Sequence, residues 1–177
     1  MSTLKVGTIQ DHTNSNTALS IDSSGLVTAP VGIVPKACAF SMHATSAQSL
    51  AGVTEITYEW DASAFDTNGI TDLPNNRVVI TAATAGLWFL SFTSRINNSV
   101  PFRHINYIKV NGSVAIMQEQ TMYSQTTGAS SSCTAAGLQQ LSDGDIIIAR
   151  IYHGHSTKNT EYGYSQARLE GFRIGTV

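Results

Sequence analysis

The amino-acid sequence predicts an all-β fold in which two sheets pack as a sandwich. Short stretches of alternating apolar and polar residues are separated by clusters of Gly, Asn, Asp and Ser, which is the pattern of strands and turns. Almost no window repeats apolar residues at the spacing of an amphipathic helix for more than two turns. Of the 177 residues, 42% are hydrophobic and only 12% are charged. A chain of this length and composition is able to form a core without disulfides or metals.

The N-terminal part of the chain has a different pattern from the rest. Apolar residues alternate with polar ones on both sides of residues 22–25 (DSSG), which are typical of a turn. This pattern predicts a small β-hairpin, which must pack on copies of itself, on the main domain or on a larger assembly, because an isolated hairpin is marginally stable. Prolines flank a glycine at residues 30–35 and indicate a hinge. We therefore divide the chain into an N-terminal segment, residues 1–35, and a main domain, residues 36–177.

The main domain contains roughly eight to ten predicted strands, a number typical of a two-sheet sandwich. The predicted strands are residues 37–43, 54–60, 77–81, 86–96, 105–110, 114–122, 131–141, 146–153 and 168–174. Asn111 and Gly112 lie between two of them and form the strongest short signal of a β-hairpin. Turns are predicted at residues 66–69, 73–76 and 143–145, which are rich in Asn, Asp, Gly and Pro.

Two of these strands, residues 86–96 and 146–153, carry apolar side chains on both faces. Side chains alternate between the faces of a strand, and a sandwich core covers only one face of each sheet. Either a second copy of the chain or a loop of the same chain must then cover the opposite face, and the periodicity favours neither. A closed symmetric oligomer is the usual form of the first alternative.

Composition excludes several classes of function. The net charge is −2 and the sequence pI is near 6.2, which disfavours a general electrostatic interaction with nucleic acid. Ser and Thr together outnumber all charged residues, so the surface is polar but weakly charged. No apolar run approaches the length of a membrane span, and the first residues do not resemble a secretion signal. We expect no membrane insertion and no nucleic-acid partner.

No pattern of residues predicts an enzyme or a cofactor. The sequence contains no nucleophile elbow, no phosphate-binding glycine loop and no metalloprotease helix. Two exposed glutamates, Glu55 and Glu59, on one face of a surface strand do not imply hydrolysis by paired carboxylates. We therefore expect no catalytic residues and no cofactor.

The possible metal ligands and the cysteines each allow two interpretations. His153 and His155, with His104, could begin a metal site, but the end of a solvated strand explains them better. Residues 143–145 (DGD) could bind calcium, although a turn before a strand accounts for the glycine. We predict no metal site. The two cysteines, Cys38 and Cys133, are either buried thiols or a single bridge between sheets, and reductant would distinguish the two.

A polar and aromatic set of residues suits the recognition of a sugar or a protein. Its members are Gln118, Glu119, Gln120, Tyr123, Tyr162 and Tyr164. The three tyrosines are the candidate recognition residues, and an ordinary loop exterior is the alternative.

The order of the motifs in the main domain resembles that of the C1q/tumour-necrosis-factor-like jelly rolls. The motifs that carry the resemblance are residues 39–40 (AF), 86–92 (GLWFLSF), 109–112 (KVNG), 141–147 (LSDGDII) and 169–172 (LEGF). Leu90 departs from the usual Phe of the second motif. The resemblance implies a two-sheet jelly roll that forms a compact homotrimer, with an inner sheet lining the threefold axis. The two strands that are apolar on both faces match strands of that inner sheet. The resemblance places Phe89, Ile148 and Tyr152 towards the axis, as the predicted trimer interface. The side chains expected in the sandwich core are those of Trp88, Leu90, Phe92, Ile147 and Ile151.

The N-terminal segment resembles the opening of fibre and appendage proteins of marine bacteriophages of the cyanophage type. Residues 4–10 (LKVGTIQ) and 18–27 (ALSIDSSGLV) carry this resemblance. It implies a viral structural protein, localised to the virion, that is anchored to the capsid or tail through residues 1–35. The predicted function is that of a non-enzymatic trimeric short fibre, knob or capsid decoration that contributes to host attachment through a surface glycan or protein. The alternative is a cellular C1q-like recognition or adhesion module without a virion role.

Overall fold

The computed structural model describes residues 8–10, 17–21 and 27–28, followed by residues 38–97, 102–122 and 130–175. The chain divides into two compact units, Met1–Lys36 and Ala37–Val177. In the described parts the regular structure is β-strand apart from one short 3-10 helix. No helix among these residues is long and apolar enough to cross a membrane.

The strands are numbered in chain order. They are β1 (Thr8–Gln10), β2 (Thr17–Ile21), β3 (Val27–Thr28), β4 (Ala39–His43), β5 (Ser49–Leu50), β6 (Glu55–Thr57), β7 (Ala62–Asp66), β8 (Thr71–Asp72), β9 (Arg77–Val79), β10 (Gly86–Asn97), β11 (Phe102–Val110), β12 (Ser113–Met122), β13 (Ser130–Leu141), β14 (Ile146–His153), β15 (Lys158–Asn159) and β16 (Arg168–Gly175). The 3-10 helix is Leu73–Asn75.

The first unit contains a small antiparallel sheet in the order β1-β2-β3. The second unit is a sandwich of two antiparallel sheets. One sheet has five strands in the order β13-β10-β16-β4-β7, and the other has six, with β12-β11-β14-β9-β8 in sequence and β6 paired with β14. A two-stranded pair, β15 with β5, completes the second unit. The all-β sandwich predicted from the sequence is confirmed.

The core of the sandwich consists of the side chains that point between the two sheets. Five side chains were expected in the core, and all five are fully buried: Trp88, Leu90, Phe92, Ile147 and Ile151. An aromatic cluster lies at its centre, where the Tyr58 ring stacks on Trp60 at 4.6 Å and meets Phe92 edge-on at 5.5 Å. Such ring pairs add to the free energy of burial. Burial raises the pKa of Tyr58 to about 12.

The hairpin predicted at Asn111 and Gly112 is confirmed. The two residues join β11 to β12 and both have positive φ, 51° and 81°. Positive φ at both central positions is the requirement of the tight turn that Asn-Gly favours. The Asn111 side chain also accepts a hydrogen bond from the Ile146 backbone N–H at 3.0 Å and donates one to Asp145 at 2.7 Å. The hairpin is therefore tied to the start of β14.

The structure differs from the prediction in the segment before β9. Only Glu55–Thr57 of the expected strand 54–60 pairs with a neighbour. Beyond it, the Trp60 backbone N–H donates to the Asn76 side chain at 2.7 Å rather than to a strand. The short strands β5, β7, β8 and β15 were not predicted, because they are brief or lack apolar alternation. The turn expected at 73–76 is the 3-10 helix, which ends at Asn76 in the left-handed region.

One prediction about the sheets is wrong. The two strands with apolar residues on both faces were expected in a single inner sheet, but β10 lies in the five-stranded sheet and β14 in the six-stranded sheet. Both strands have the same pattern of apolar residues because each has an apolar outer face. The alternation of side chains does not indicate which sheet a strand joins. The outer faces of β10 and β14 therefore point away from each other.

Candidate functional site

The outer face of the five-stranded sheet carries a group of exposed apolar side chains. Phe89 lies at its centre, with Leu138 of β13 and Phe172 of β16 as its direct partners on the two neighbouring strands. Leu138 is 59% exposed and Phe172 51% exposed. Phe65 of β7 is also exposed. We call these four residues, Phe65, Phe89, Leu138 and Phe172, the apolar patch.

The patch encloses a shallow pocket of about 200 Å³. Phe65, Phe89 and Phe172 line it, with Ala39 and the backbone region of Gly171 at its floor. The rings of Phe89 and Phe172 are 5.4 Å apart and tilted by 34°. A contiguous apolar surface of this kind on a soluble protein usually marks an interaction site. Within residues 38–175 as described, no loop of the chain covers these side chains.

Phe89 is half-buried in the patch, whereas the other two residues predicted at the trimer interface lie elsewhere. Ile148 and Tyr152 project from the outer face of the six-stranded sheet and are half-buried there. Lys109 is the cross-strand partner of Ile148, and its side chain is only 14% exposed. The aliphatic stem of a lysine can shelter an apolar neighbour while its ammonium group reaches solvent. One flat interface through the five-stranded sheet would therefore bury Phe89 without Ile148 or Tyr152.

Ion pairs cross the outer face of the six-stranded sheet. The Glu55 carboxylate forms ion pairs with the Lys109 ammonium group at 2.6 Å and with the Arg150 guanidinium at 3.0 Å. The Arg103 guanidinium lies 5.8 Å from the Tyr152 ring centre and pairs with Glu119 at 2.6 Å. These interactions explain how β14 can carry apolar side chains on both of its faces. Charged side chains of neighbouring strands lie across the residues on its outer face and shield them from solvent.

A buried polar cluster lies between the two sheets. The His104 ring is within hydrogen-bond distance of the Ser94 hydroxyl at 2.9 Å and of the Ser131 hydroxyl at 3.1 Å. Ser94 also donates to Asn106 at 2.7 Å, and Asn106 donates to the Cys133 carbonyl at 2.9 Å. Burial lowers the pKa of His104 to about 3, because the charged form would lose its hydration. The cluster therefore keeps a neutral histidine in the core.

The histidines do not form a metal site among the described residues. His104 and His153 are cross-strand partners on the core face and are both buried, whereas His155 lies near the surface beside Ser156. Burial also lowers the pKa of His153. No group of three or more His, Cys, Asp or Glu side chains suited to a metal is found in the part of the chain that the structure describes.

Residues 143–145 form a turn, which is one of the two interpretations that the sequence allowed. Gly144 has a φ of 83°, and the Asp145 carboxylate accepts from the Ser142 N–H at 2.7 Å and from the Asn111 side chain. Both carboxylate oxygens of Asp145 thus have partners, one beside the turn and one in the β11–β12 hairpin. Cys38 and Cys133 are buried thiols rather than a disulfide, so the first interpretation of the cysteines is confirmed.

The predicted recognition tyrosines separate into different environments. Tyr162 is 55% exposed and lines a groove of about 480 Å³ with Asn97, Asn159 and Gln166. Tyr164 is 44% exposed but packs outside that groove, with its ring 5.5 Å from the Arg168 guanidinium and 5.6 Å from the His43 ring. Tyr123 lies outside the described residues.

Sequence reasoning missed several residues of these surfaces. Leu138 stands among Ala, Gly and Gln in β13, so its exposure has no sequence signal. Asn97 and Asn159 are the last residues of β10 and β15, and the bridge between Ile96 and Thr160 brings the ends of these two strands together. Phe172 was within a recognised motif, and the alternation of β16 could have placed it on the outer face.

Comparison with known structures identifies the fold. Eiger, a tumour necrosis factor from S. frugiperda, superposes with a TM-score of 0.63 at 10% identity over 81% of this chain and 96% of its own. The globular domain of zebrafish complement 1qA protein gives 0.59 at 13% identity over 80% and 99%. Murine APRIL gives 0.55 at 14% identity over 78% and 100%.

The second unit is a C1q/TNF-type jelly roll. The fold predicted by the resemblance of the main-domain motifs is thus confirmed, with the match covering about the length of the second unit. No protein-family model matches the chain, and no curated protein is similar to it in sequence. At identities of 10% to 14% the likeness establishes the architecture and leaves the function to be argued from the surfaces.

Proposed function

We propose that this jelly-roll protein is a non-enzymatic homotrimer of a bacteriophage particle, a short fibre, knob or decoration that contributes to attachment to the host surface. Residues 1–35 attach it to the capsid or tail, and the jelly roll presents the recognition surface. The observation that carries the trimer is the apolar patch. The resemblance of residues 4–27 to phage fibre proteins carries the virion role.

The patch has the character of an interface between copies of the chain. Its three central side chains, Leu138, Phe89 and Phe172, stand side by side across three strands. The adjacent charges are already paired, since Arg168 lies 3.1 Å from Glu170. Such a surface can be buried without leaving an isolated charge. Closed symmetry buries the patch of every copy, and the C1q/TNF-like motifs imply threefold symmetry.

The groove that we propose as the recognition surface lies at one end of the second unit, and Ala39 lies at the other end. The second unit begins next to Ala39, which pairs with Phe172 at the same end of the sheet as the Leu87–Gly175 pair. The groove that Tyr162 lines lies at the other end, near Asn97. Several weak sites on one trimer raise avidity without new contacts.

A cellular recognition module is the second candidate. The solved structures that resemble this chain carry the names of complement 1qA, APRIL and Eiger, which are proteins of animal cells. Their likeness favours a recognition or adhesion role with no particle, and it agrees equally with a non-enzymatic function. The two candidates share the trimer and differ in the role of residues 1–35.

Deletion of residues 1–35 tests the proposal. We expect the truncated protein to remain a folded trimer by light scattering, because the patch lies in the second unit, and to be absent from purified phage particles by mass spectrometry. The full chain, produced in parallel, should be present in particles at a fixed copy number. A full-length protein that is missing from particles would contradict the virion role, and a truncated protein that dissociates would show that the N-terminal segment carries the assembly.

A further inference from the structure

A polar groove lies at the end of the sandwich remote from residue 38. It has a volume of about 480 Å³ and is lined by Asn97, Asn159, Glu161, Tyr162 and Gln166, among others. A second depression of about 260 Å³ shares Asn97 and Asn159 and adds Lys158. The two together form one surface across the ends of β10 and β15.

The floor of the groove is held rigidly. The Arg95 guanidinium lies 3.0 Å from the Glu161 carboxylate and donates to the Gln166 side chain at 2.8 Å. The Ser130 hydroxyl donates to the same carboxylate. The Glu161 backbone N–H donates to the Arg95 carbonyl at 2.8 Å. A floor with this many internal hydrogen bonds is preorganised, which lowers the entropic cost of binding a ligand.

The walls of the groove present polar groups that are available to a ligand. The Asn97 and Asn159 side chains are exposed, and neither amide makes a hydrogen bond in the described structure. Each amide offers a donor and an acceptor side by side. Tyr162 adds a half-exposed ring with a hydroxyl that has no partner among the described residues. Two amides and an aromatic ring around a rigid floor match a ligand with adjacent hydroxyls and an apolar ring face.

The charge of the groove favours a neutral ligand. Glu161 is compensated by Arg95, so its carboxylate can accept hydrogen bonds from hydroxyls without attracting a cation. Lys158 lines only the smaller depression, and a single ammonium group makes a weak anion site. The apolar residues that line the groove are Tyr162 and the small Ala47, which disfavours a lipid or an apolar peptide.

We propose that this groove binds a neutral saccharide, with the amides of Asn97 and Asn159 on vicinal hydroxyls and the Tyr162 ring against a face of the sugar. The site deepens the recognition role of the proposed function and rests on it, since it names the class of ligand that the jelly roll recognises. Three such grooves on one trimer would bind a repeating surface glycan more tightly than one groove alone.

Ligand-observed NMR on the full-length protein tests the site. The probes are glucose, galactose, mannose and N-acetylglucosamine, with sialyllactose and glucose 6-sulfate as charged comparators. We expect at least one neutral sugar to bind with a Kd in the millimolar range, as is typical of a single small polar ligand. The Tyr162→Ala and Asn159→Ala variants should each weaken that binding by about fivefold or more, equivalent to about 1 kcal/mol.

Tyr164→Ala provides the matched control, because Tyr164 is also exposed, lies two residues away and does not line the groove. It should bind the sugar as the unaltered protein does. The site is refuted if no neutral sugar binds, if only the charged sugars bind, or if Tyr162→Ala binds as well as Tyr164→Ala. Light scattering and particle association, measured on the same samples, distinguish a failure of the sugar site from a failure of the proposed function. A trimer present on particles without sugar binding would refute the groove alone, and sugar binding without particle association would refute the virion role alone.

Discussion

The buried residue His104 shows how a polar side chain is accommodated between the two sheets. His104 is fully buried, and both of its ring nitrogens lie within hydrogen-bond distance of serine hydroxyls. The Ser94 hydroxyl donates its only hydrogen to Asn106, so it accepts from the Nε2–H of the neutral ring, and the Ser131 hydroxyl donates to Nδ1. Protonation would make both nitrogens donors and place a charge in the core beside His153, its cross-strand partner. The neutral ring is therefore part of the folded structure.

This arrangement predicts that stability falls as the pH decreases below about 6.5, the usual pKa of histidine. The pKa of His104 is about 3 in the folded protein, so the unfolded chain binds the proton first and the folded state loses up to about 1.4 kcal/mol per pH unit in that interval. Buried His153 acts in the same direction. Urea unfolding at fixed protein concentration, between pH 7.5 and 5, measures the slope. The carboxylates of Asp61, Asp66 and Asp72 have lowered pKa values and contribute only at more acid pH.

Variants at two histidines test whether His104 causes the pH dependence of the free energy of unfolding. We expect His104→Gln to reduce the slope, because the amide can still interact with Ser94 and Ser131 but cannot be protonated. His155→Gln should retain the slope of the unaltered protein, since His155 lies near the surface. A flat stability profile for the unaltered protein over this range would contradict the role given to the buried ring.

At the scale of a strand, close packing explains a glycine in β16. Gly171 lies on the core-facing side between β10 and β4, opposite Leu90 and Phe40. A Cβ atom placed there would be 2.8 Å from the Leu90 side chain and 2.8 Å from the Phe40 ring. Both contacts are closer than real Cβ atoms permit, so the neighbouring side chains would have to shift. The glycine of the closing motif is thus a requirement of core packing rather than of a turn.

Gly171→Ala is therefore expected to destabilise the protein by about 1–3 kcal/mol, the usual cost of overpacking a core. Gly175→Ala in the same strand is the control, because no atom lies within 4 Å of its added Cβ, and it should change the free energy of unfolding by less than about 0.5 kcal/mol. Thermal and urea unfolding of both variants measure the difference. Equal stabilities for the two variants would contradict the packing explanation.

The strands also show what the sequence could predict. Long strands with strong alternation, such as β10 and β14, and the Asn111-Gly112 hairpin follow from local residue patterns. The short strand β7 does not, because most of its side chains are exposed and small. The assignment of β10 and β14 to different sheets depends on pairing between distant residues, which alternation does not encode. The same limit applies to the groove, because Asn97 and Asn159 end two strands that lie about sixty residues apart in the sequence and share no motif.

At the scale of the whole molecule, the two outer faces of the sandwich are built differently. The six-stranded sheet covers the outer residues of β14 with paired charges, among them Lys109 and Arg150 on Glu55, and leaves Val114 and Met117 of β12 exposed. The five-stranded sheet leaves Leu138 and Phe172 more than half exposed. The five-stranded sheet is favoured for assembly because Leu138 and Phe172 flank Phe89 on neighbouring strands and form one contiguous apolar surface. The trimer proposed for the chain should therefore depend on residues of the five-stranded sheet only.

Exchanging a single exposed side chain on each sheet tests that dependence. Phe172→Ser should shift the protein from trimer towards monomer in sedimentation velocity at micromolar concentration, because each copy loses an aromatic contact worth about 2 kcal/mol at the centre of an interface. Met117→Ser is the matched control: Met117 is 54% exposed on β12 of the other sheet, and Phe172 is 51% exposed, so both variants should fold normally. The control should remain trimeric. An unaltered protein that sediments as a monomer would refute the assembly outright, and a Phe172→Ser variant as trimeric as Met117→Ser would move the interface away from the patch.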